Sequence, residues 1–241
     1  MNPYETRKLV EEYLLFHYGR ADEVLPYPDG PVGALGFAVR SVTEMLEVGN
    51  GRERALDLGC AVGRSSFELS KFSEQVIGID YSQAFVEVAK KIGRGESVPY
   101  ERLEEGALST PLEATAPEGA RLEVVEFEVG DAMALRSDLG SFDLVHAANL
   151  ICRLTEPRRL LGRLPQLVRP GGELVLTTPC TWLGEFTPPE NWPEGRTIDW
   201  LEGELGPQFD LIQTRDLPFL IRETARKFQW TVAQGSLWRR R

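Results

Sequence analysis

The sequence ALDLGCAVGR, residues 55–64, sets the fold class of the chain. Its apolar run leads into Asp57, which is typical of a buried strand, and Gly59 and Gly63 then open a helix. The glycines let a ligand approach the backbone, and the first turn of a helix offers unpaired N–H groups to an anion. These residues predict a strand, a nucleotide-type binding loop and a helix. A tight turn without a ligand is the alternative.

Outside this stretch, short apolar runs alternate with amphipathic segments of helical length, which predicts βαβ units and a mostly parallel sheet. We predict five strands, at residues 54–58, 75–80, 122–129, 142–147 and 173–178. We predict the helices between them at residues 63–72, 82–92 and 156–168, the second with Ser82 as its N-cap. A turn at residues 169–172 should stop the third helix.

The two ends of the chain differ from this core. Predicted strands at residues 209–217 and 229–238 are joined by a link too short for a crossover helix, so they should form an antiparallel closing pair. Amphipathic helices near residues 4–18 and 33–48, with the Pro- and Gly-rich loop 25–31 between them, should cap one edge of the sheet. The predicted fold is a single Rossmann-like α/β domain over residues 1–241. It has a seven-stranded mostly parallel sheet, helices on both faces, a helical cap at 1–50 and a core at 51–241.

Two long segments, residues 93–120 and 179–195, interrupt the alternation and are predicted to be loops. Loops of this length in a compact domain are more often lids or site walls than idle connections. We therefore expect at least one of them to shape the active site. Edge protection or a contact with a partner is the alternative.

Composition excludes several classes of protein. The 241 residues contain 27 Lys and Arg against 37 Asp and Glu, a net charge of −10 that disfavours nucleic acid and acidic membranes as partners. We find no apolar run of membrane-spanning length, and the acidic N-terminus does not resemble a signal peptide. The widely spaced Cys60, Cys152 and Cys180 and the two histidines predict no disulfide framework and no metal centre. A reducing, cytoplasmic location is expected.

The spacing in residues 57–63 separates two classes of nucleotide-binding fold. A dehydrogenase fingerprint, GxGxxG, would place its first glycine right after the strand and a close glycine pair against a pyrophosphate. The D-x-G-x-x-x-G pattern of this chain instead resembles motif I of the class I methyltransferases, which use S-adenosylmethionine. The resemblance implies cofactor contacts from Asp57, Gly59, Cys60, Ala61 and Gly63. Cys60 is interpreted as a small residue rather than a nucleophile, because no adjacent base is identified.

Further signals of the same family follow in order. Asp80 ends the second strand, where a carboxylate can accept hydrogen bonds from both ribose hydroxyls, and Tyr81 follows it. Asp131 and Ala132 follow the third strand, where the family holds the adenine with an acidic side chain and a backbone N–H. Asn149 ends the fourth strand, beside the expected methyl group. The cofactor is therefore predicted to be S-adenosylmethionine, with S-adenosylhomocysteine as its product and no metal.

Three further polar residues have a structural alternative. Arg40, on the second capping helix, is predicted to pair with the methionine carboxylate of the cofactor, and an exposed salt bridge is the rival interpretation. Arg64 is predicted to lie on a helix surface. His146 lies within the fourth strand, where a core histidine with satisfied hydrogen bonds is favoured over a catalytic base.

Five segments resemble a narrower family, the methyltransferase half of ovothiol synthase (5-histidylcysteine sulfoxide synthase) and its stand-alone relatives. They are LVEEYLLFHYG (9–19), LPYPDGP (25–31), LDLGCAVGRSSFEL (56–69), ANLICRLTEP (148–157) and PFLIRETARKFQW (218–230). The resemblance implies methyl transfer to an imidazole nitrogen, Nπ, of 5-thiohistidine (4-mercaptohistidine), giving ovothiol A. The chain has no HxxxE-type metal signature, so functional coupling to a separate sulfoxide synthase is expected. The family usually has Tyr where this chain has Cys180 and Pro where it has Ala38.

An amino-acid substrate carries a carboxylate and an ammonium group, which call for a guanidinium and a carboxylate or carbonyl. Arg222 and Glu223 offer both signs side by side, with a surface ion pair as the alternative. Tyr13 and His17 are four residues apart on one helix face and are predicted to contact substrate, with packing of their rings as the alternative. Tyr27, in the Pro-flanked loop, is a further candidate for an aromatic wall.

Three functions remain open on the sequence. The first is the thiohistidine N-methyltransferase. The second is a methyltransferase of the same fold that acts on another small amine, acid or thiol, which the Cys180 departure favours. The third is a non-catalytic module that binds S-adenosylmethionine, which the presence of the glycine loop, both acidic positions and Asn149 disfavours.

Overall fold

The computed structural model describes residues 3–46 and 51–241. A seven-stranded sheet runs through it in the order β5-β2-β1-β6-β7-β9-β8, and a separate hairpin pairs β3 with β4. The strands are β1 (Arg52–Leu58), β2 (Ser73–Asp80), β3 (Val98–Glu105), β4 (Leu108–Ala114), β5 (Val125–Val129), β6 (Phe142–Ala148), β7 (Val168–Thr178), β8 (Phe209–Arg222) and β9 (Phe228–Arg240). The first five sheet strands in that order are parallel, and β9 is antiparallel to both β7 and β8. This is the predicted Rossmann-like sheet with its antiparallel closing pair.

The helices pack on both faces of the large sheet. They are α1 (Arg7–Tyr18), α2 (Ala21–Val24), α3 (Phe37–Thr43), α4 (Arg64–Leu69), α5 (Gln83–Gly93), α6 (Pro157–Leu167) and α7 (Thr197–Leu205). One apolar core joins the sheet to α6 and α7, and two others join it to α3, α4, α5 and α1. Both faces of β1 and β6 are buried, which explains their continuous apolar sequences.

Helix α5 shows how a local signal sets an element. The Ser82 hydroxyl accepts a hydrogen bond from the Phe85 N–H at 3.2 Å, so it is the N-cap that the sequence predicts. Phe85, Val86, Ala89 and Ile92 are buried, and their spacing places them on one helical face. The helix therefore lies flat against the sheet beside β5.

Several predicted boundaries are wrong, and the reasons are local. Residues 93–120 are not a plain loop, because they contain the β3–β4 hairpin. Its strands are charged and carry Pro99 and Pro111, a residue that is confined to strand edges and bulges, so the sequence does not predict them as strands of a buried sheet. The predicted turn at 169–172 lies inside β7 as a bulge opposite β6. Helix α7 has no counterpart in the prediction.

The N-terminal helices are shorter than predicted. Helix α1 begins at Arg7 after a 3-10 turn, Pro3–Glu5. Helix α3 begins after Gly36, whose φ of 67° interrupts the run, and the end of the predicted helix, up to Val48, lies outside the described residues. As predicted, α1 contacts the edge strand β8, but it also crosses the carboxyl ends of the parallel strands.

The order of the strands positions the site. Successive parallel strands are laid down on one side of β1 (β2, then β5) and on its other side (β6, then β7). Ligands of open α/β sheets bind where the order reverses, beyond the carboxyl ends of the strands. In this chain that place lies between β1 and β6.

Candidate active site

A cavity of about 420 Å³ opens at this place, at the carboxyl ends of β1, β2, β5 and β6 and under α1. Its volume lies within the range of small-molecule sites, roughly 300–1,000 Å³. Ten of the residues predicted from the sequence line it: Tyr13, His17, Gly59, Cys60, Ala61, Asp80, Tyr81, Asp131, Ala132 and Asn149. The remainder of the wall is mainly apolar, with Phe16, Phe37, Met133, Leu150 and Leu154 among its members.

The glycine loop brings backbone atoms to the cavity. Gly59 has a φ of 69°, and its N–H donates to the Ile79 carbonyl at 2.8 Å. A Cβ at Gly59 would lie 3.1 Å from Leu150 Cδ1, within the cavity wall. Gly63 serves a different purpose, because it does not line the cavity and a Cβ there would lie 2.7 Å from Phe127 Cζ. The lack of a side chain at Gly63 thus allows α4 to pack closely on β5, and its predicted cofactor contact stays a prediction.

Asp80 joins the ends of two strands. Its Oδ2 accepts from the Ala61 N–H at 2.9 Å and its Oδ1 from the Ser82 N–H at 2.8 Å. Burial raises the pKa of this carboxyl to about 6, against those two hydrogen bonds, and the charge of Asp57 adds to the rise. A carboxylate has about four acceptor sites, so lone pairs on both oxygens remain for a ligand.

Two loops complete this side of the cavity. The Asp131 Oδ1 accepts from the Met133 N–H at 2.8 Å, which fixes the carboxylate beside Ala132. Tyr81 is 66% exposed at the mouth. Asn149 has a φ of 53°, in the left-handed region that Asn tolerates, and its amide oxygen accepts from the Thr177 hydroxyl at 3.0 Å. Its side chain is therefore held by β7.

Helix α1 forms the roof. The Tyr13 ring packs 4.8 Å from Phe85 and 5.7 Å from His17, between ring centroids. Among the described residues, no group hydrogen-bonds to the buried Nδ1 of His17. Burial, with the charge of Arg64, lowers the pKa of His17 to about 3, so its imidazole is neutral at physiological pH. The Tyr18 hydroxyl donates to the Val62 carbonyl at 2.7 Å and ties the roof to the glycine loop.

Asp57 lies beneath the cavity rather than in its wall. It is 1% exposed, and its Oδ1 is 2.8 Å from His146 Nδ1. The Ser66 hydroxyl donates to Oδ2 at 2.6 Å, and His146 Nε2 is 3.1 Å from the Ser41 hydroxyl. These contacts are all internal and Asp57 does not line the cavity, so its predicted contact with the cofactor stays a prediction. His146 is the core histidine that the sequence favours.

Arg40 also lies outside the cavity. Its Nε is 2.6 Å from Glu44 Oε1, and its Nη1 donates to the Pro218 carbonyl at 2.9 Å. This is the salt bridge that was the rival interpretation. The (i, i+4) spacing on α3 places the two side chains together, away from the glycine loop.

The predicted substrate pair, Arg222 and Glu223, is used elsewhere. Arg222 is 4% exposed, with Nη2 2.6 Å from Glu104 Oε2 and Nη1 donating to the Glu23 carbonyl at 2.7 Å. It thus clamps the β3–β4 hairpin to β8. Glu223 pairs with Lys227 at 2.6 Å. Neither residue lines the cavity, because β8 extends past it at the edge of the sheet.

Tyr27 is likewise absent from the cavity wall. Its hydroxyl donates to the Ala225 carbonyl at 2.9 Å, and its ring lies edge-on to Phe228. The loop it belongs to is therefore bound to the β8–β9 turn. Of the two departures from the family pattern, Ala38 lines the cavity and Cys180 does not.

The sequence did not predict three residues at or beside the part of the cavity that lies beyond β6. Arg153 and Tyr4 line the cavity, and Phe186 packs on both, with its ring 6.4 Å from that of Tyr4. Phe186 belongs to segment 179–195, so one of the two long segments reaches the rim of the site. A signal for Arg153 was present, since it follows the carboxyl end of β6 by only a few residues.

The described ranges, 3–46 and 51–241, lack two kinds of feature. They contain no group of three or more His, Cys, Asp or Glu side chains placed to hold a metal ion. They also contain no helix with the length and apolar character needed to cross a membrane.

Known proteins resemble the chain over this region. A family model described as a methyltransferase domain matches residues 56–176. The O-methyltransferase cnsE of Penicillium expansum is 31% identical over 126 residues, which are 52% of this chain and 37% of that protein. The ubiquinone biosynthesis O-methyltransferase of Coxiella burnetii (strain RSA 493 / Nine Mile phase I) is 25% identical over 52% of this chain and 43% of its own length. The chain thus matches less than half of the length of these relatives.

Solved structures extend the likeness of fold to nearly the whole chain. The N-methyltransferase NodS of Bradyrhizobium japonicum WM9, in complex with S-adenosyl-L-homocysteine, has a TM-score of 0.56 and 14% identity over 96% of this chain and 98% of its own. The YcgJ protein of Bacillus subtilis has a TM-score of 0.55 and 14% identity, over 84% of this chain and 97% of its own length. The chain belongs to the methyltransferase-domain family and has the Rossmann-like fold of the class I methyltransferases.

Proposed function

We propose that this protein is an S-adenosylmethionine-dependent N-methyltransferase that methylates the imidazole Nπ of 5-thiohistidine. The observation that carries the methyltransferase part is the cavity itself. There the glycine loop and the carboxylates of Asp80 and Asp131 meet at the carboxyl ends of the strands. The chain's family and the neighbours of its fold agree with this chemistry.

The wall of the cavity suits S-adenosylmethionine. Asp80 keeps acceptor sites for the two ribose hydroxyls after its two backbone hydrogen bonds. Asp131 offers an acceptor for the adenine amino group. At Gly59 a side chain would be 3.1 Å from Leu150, so only a bare backbone leaves this part of the cavity open to a ligand. When bound, the cofactor supplies a methyl group on a positively charged sulfur, which is already activated for transfer.

The protein's own contribution is placement and exclusion of water. A neutral imidazole has one nitrogen with a free lone pair, so the acceptor needs the correct tautomer and orientation rather than a strong base. The apolar wall, including Phe16, Phe37 and Leu154, keeps water from the reacting atoms. Well-oriented groups can reach effective molarities of about 10⁵–10⁸ M, which accounts for much of a methyltransferase's rate.

The choice of 5-thiohistidine is supported by which segments form the site. Segment 9–19 contributes Tyr13 and His17 to the wall, and segment 148–157 contributes Asn149 and Arg153. Segments 25–31 and 218–230 contact each other through Tyr27 and brace the roof from outside. The neutral His17, with its unpaired Nδ1, provides a polar contact for an imidazole or ammonium group. We also propose that a separate sulfur-inserting enzyme supplies this acceptor.

A different small acceptor is the second candidate, and one observation favours it. Ala38 lines the cavity where the resembled family usually has Pro, so the shape of the wall differs at that point. Such a change alters acceptor preference without affecting the carboxylates that face the cofactor.

A competition assay tests the proposal. The protein is incubated with S-adenosylmethionine and equal amounts of 5-thiohistidine and histidine, and products are followed by mass spectrometry with fragmentation. We expect one added methyl group, on the ring of the thiolated compound alone. The variant Asp80→Asn should lose activity through weaker cofactor binding, and Tyr27→Phe, outside the cavity, should retain it. Methylation of neither compound, with S-adenosylhomocysteine binding intact, would refute the substrate and leave the second candidate.

A further inference from the structure

Arg153 is the one cationic side chain among the described residues that line the cavity. It lies in a 3-10 turn, Ile151–Arg153, directly after β6. The other charged members of the wall are Asp80 and Asp131, and His17 is neutral. The cavity therefore holds two anionic groups on the side of β2 and β5 and one cationic group beyond β6.

The guanidinium of Arg153 is held in place without an acidic partner. Its Nη1 is 3.2 Å from the Cys152 carbonyl and 3.3 Å from the Thr181 carbonyl. Its Cζ lies 4.8 Å from the centre of the Phe186 ring. Within the described ranges, no carboxylate lies at ion-pair distance from it. The guanidinium also donates to the Tyr4 hydroxyl oxygen. The backbone carbonyls, the aromatic face and this hydroxyl orient the group, but none of them carries a negative charge that would compensate it.

The other arginines close to this region behave differently. Arg40 pairs with Glu44, Arg64 with Glu68 and Arg222 with Glu104. Since the chain neutralises these groups internally, the unpaired charge at Arg153 is a specific feature of the cavity. A half-buried guanidinium facing an apolar space gains most from an anionic ligand, above all from a carboxylate that it can bind with two hydrogen bonds.

We propose that Arg153 binds the α-carboxylate of the methyl acceptor and so restricts this enzyme to amino-acid substrates. The inference rests on the proposed function and adds to it the group that selects the substrate class. Its neighbours, Thr181 and Phe186, belong to segment 179–195, which follows β7, and β6 separates that strand from β1 and its glycine loop. That placement favours the acceptor over the cofactor, whose methionine part also carries a carboxylate.

The test compares two acceptors that differ only in the carboxylate, 5-thiohistidine and its decarboxylated analogue 5-thiohistamine. The wild-type protein should prefer 5-thiohistidine in kcat/KM by roughly ten- to a hundredfold, the range of a charge-assisted hydrogen-bonded pair. Arg153→Met should raise KM for 5-thiohistidine by that factor, leave kcat/KM for 5-thiohistamine unchanged and so remove the preference. Arg153→Lys should restore part of it, since a lysine keeps the charge but lacks the planar fork.

Arg159→Met is the matched control, because Arg159 is exposed, pairs only with Glu156 and lies outside the cavity. It should keep the wild-type preference. S-adenosylhomocysteine affinity, measured by calorimetry, should be equal in the wild type and Arg153→Met. A loss of that affinity in Arg153→Met would assign the guanidinium to the cofactor carboxylate and overturn the proposal.

Two further outcomes separate this inference from the function on which it rests. Equal kcat/KM of the wild type for both acceptors overturns the role of Arg153 and keeps the methyltransferase activity, and it requires no variant. An equal loss on both acceptors in Arg153→Met indicates a structural role and also overturns it. If the wild type methylates neither acceptor, the proposed function fails and the inference fails with it.

Discussion

Lowering the pH from about 8 to about 5 should weaken S-adenosylhomocysteine binding roughly tenfold, because Asp80 gains a proton in that interval. Burial raises the pKa of Asp80 to about 6. One pH unit below that value, only about one molecule in eleven keeps the carboxylate. In the proposed complex the carboxylate accepts a hydrogen bond from each ribose hydroxyl, whereas the protonated acid must donate one hydrogen bond itself. The affinity for S-adenosylhomocysteine therefore falls with the ionised fraction of Asp80, and a tenfold loss of affinity corresponds to about 1.4 kcal/mol of binding free energy.

The groups around Asp80 support this direction. Two backbone N–H groups, from Ala61 and Ser82, favour the carboxylate, while desolvation and the nearby charges of Asp57 and Glu5 oppose it. Binding two further hydroxyl donors adds to the first pair and lowers the pKa in the complex, so proton release accompanies binding near pH 6. His17 does not contribute to this change, since its pKa of about 3 lies below the interval.

Isothermal calorimetry with S-adenosylhomocysteine at several pH values measures the effect. Asp80→Asn should bind more weakly at every pH but with no dependence between about pH 8 and pH 5, because the amide does not titrate there. Asp131→Asn should bind S-adenosylhomocysteine more weakly but keep the pH dependence of affinity that the wild type shows. A flat profile for the wild-type protein, or the same slope in Asp80→Asn, would refute the assignment of Asp80.

Three other changes test the framework of the site. Gly63→Ala should lower the free energy of unfolding in urea by about 2 kcal/mol or more, because Gly63 has a φ of 87° and the new Cβ would lie 2.7 Å from Phe127. Its control is Gly162→Ala, at an open helical position, which should instead raise the free energy of unfolding by roughly 0.5–1 kcal/mol. His146→Leu leaves the buried Asp57 without its histidine partner and should lower the free energy of unfolding by about 3 kcal/mol or more. An unchanged unfolding midpoint would contradict that. Arg222→Met should speed amide hydrogen exchange in the β3–β4 hairpin and leave S-adenosylhomocysteine affinity unchanged; slowed or unaltered exchange would show that the clamp is unimportant.

The sequence locates the polar residues that follow the parallel strands, and there is a physical reason. Strands buried on both faces have continuous apolar sequences, so their ends are easy to locate, and parallel strands bring those ends to one edge. Asp80, Asp131 and Asn149 were placed by that logic, and all three line the cavity. The hairpin at 98–114 was missed because its exposed, charged strands carry no such signal.

The roles of the other polar residues were harder to predict, because a residue's type does not reveal which partner it takes. Arg40 and Arg222 have the chemistry of ligand-binding residues, yet Glu44 and Glu104 lie close enough to neutralise them. Asp57 was expected to face the ligand, but the alternation along β1 turns its side chain toward His146. Arg153 was overlooked for the opposite reason. Its significance comes from a missing counter-ion, which only the folded chain shows.

The hydrogen bond from Tyr18 to the Val62 carbonyl has a consequence for redesigning this enzyme. It ties α1, which forms the roof of the cavity, to the glycine loop. Libraries that randomise α1 to admit new acceptors should therefore yield many variants with poorer cofactor affinity. Position 38 is the better starting point, because Ala38 lines the cavity and its hydrogen bonds, from the Ser41 and Ser65 hydroxyls, are made by its backbone carbonyl rather than by its side chain. Widening or narrowing the wall there should change the range of acceptors at little expense to turnover.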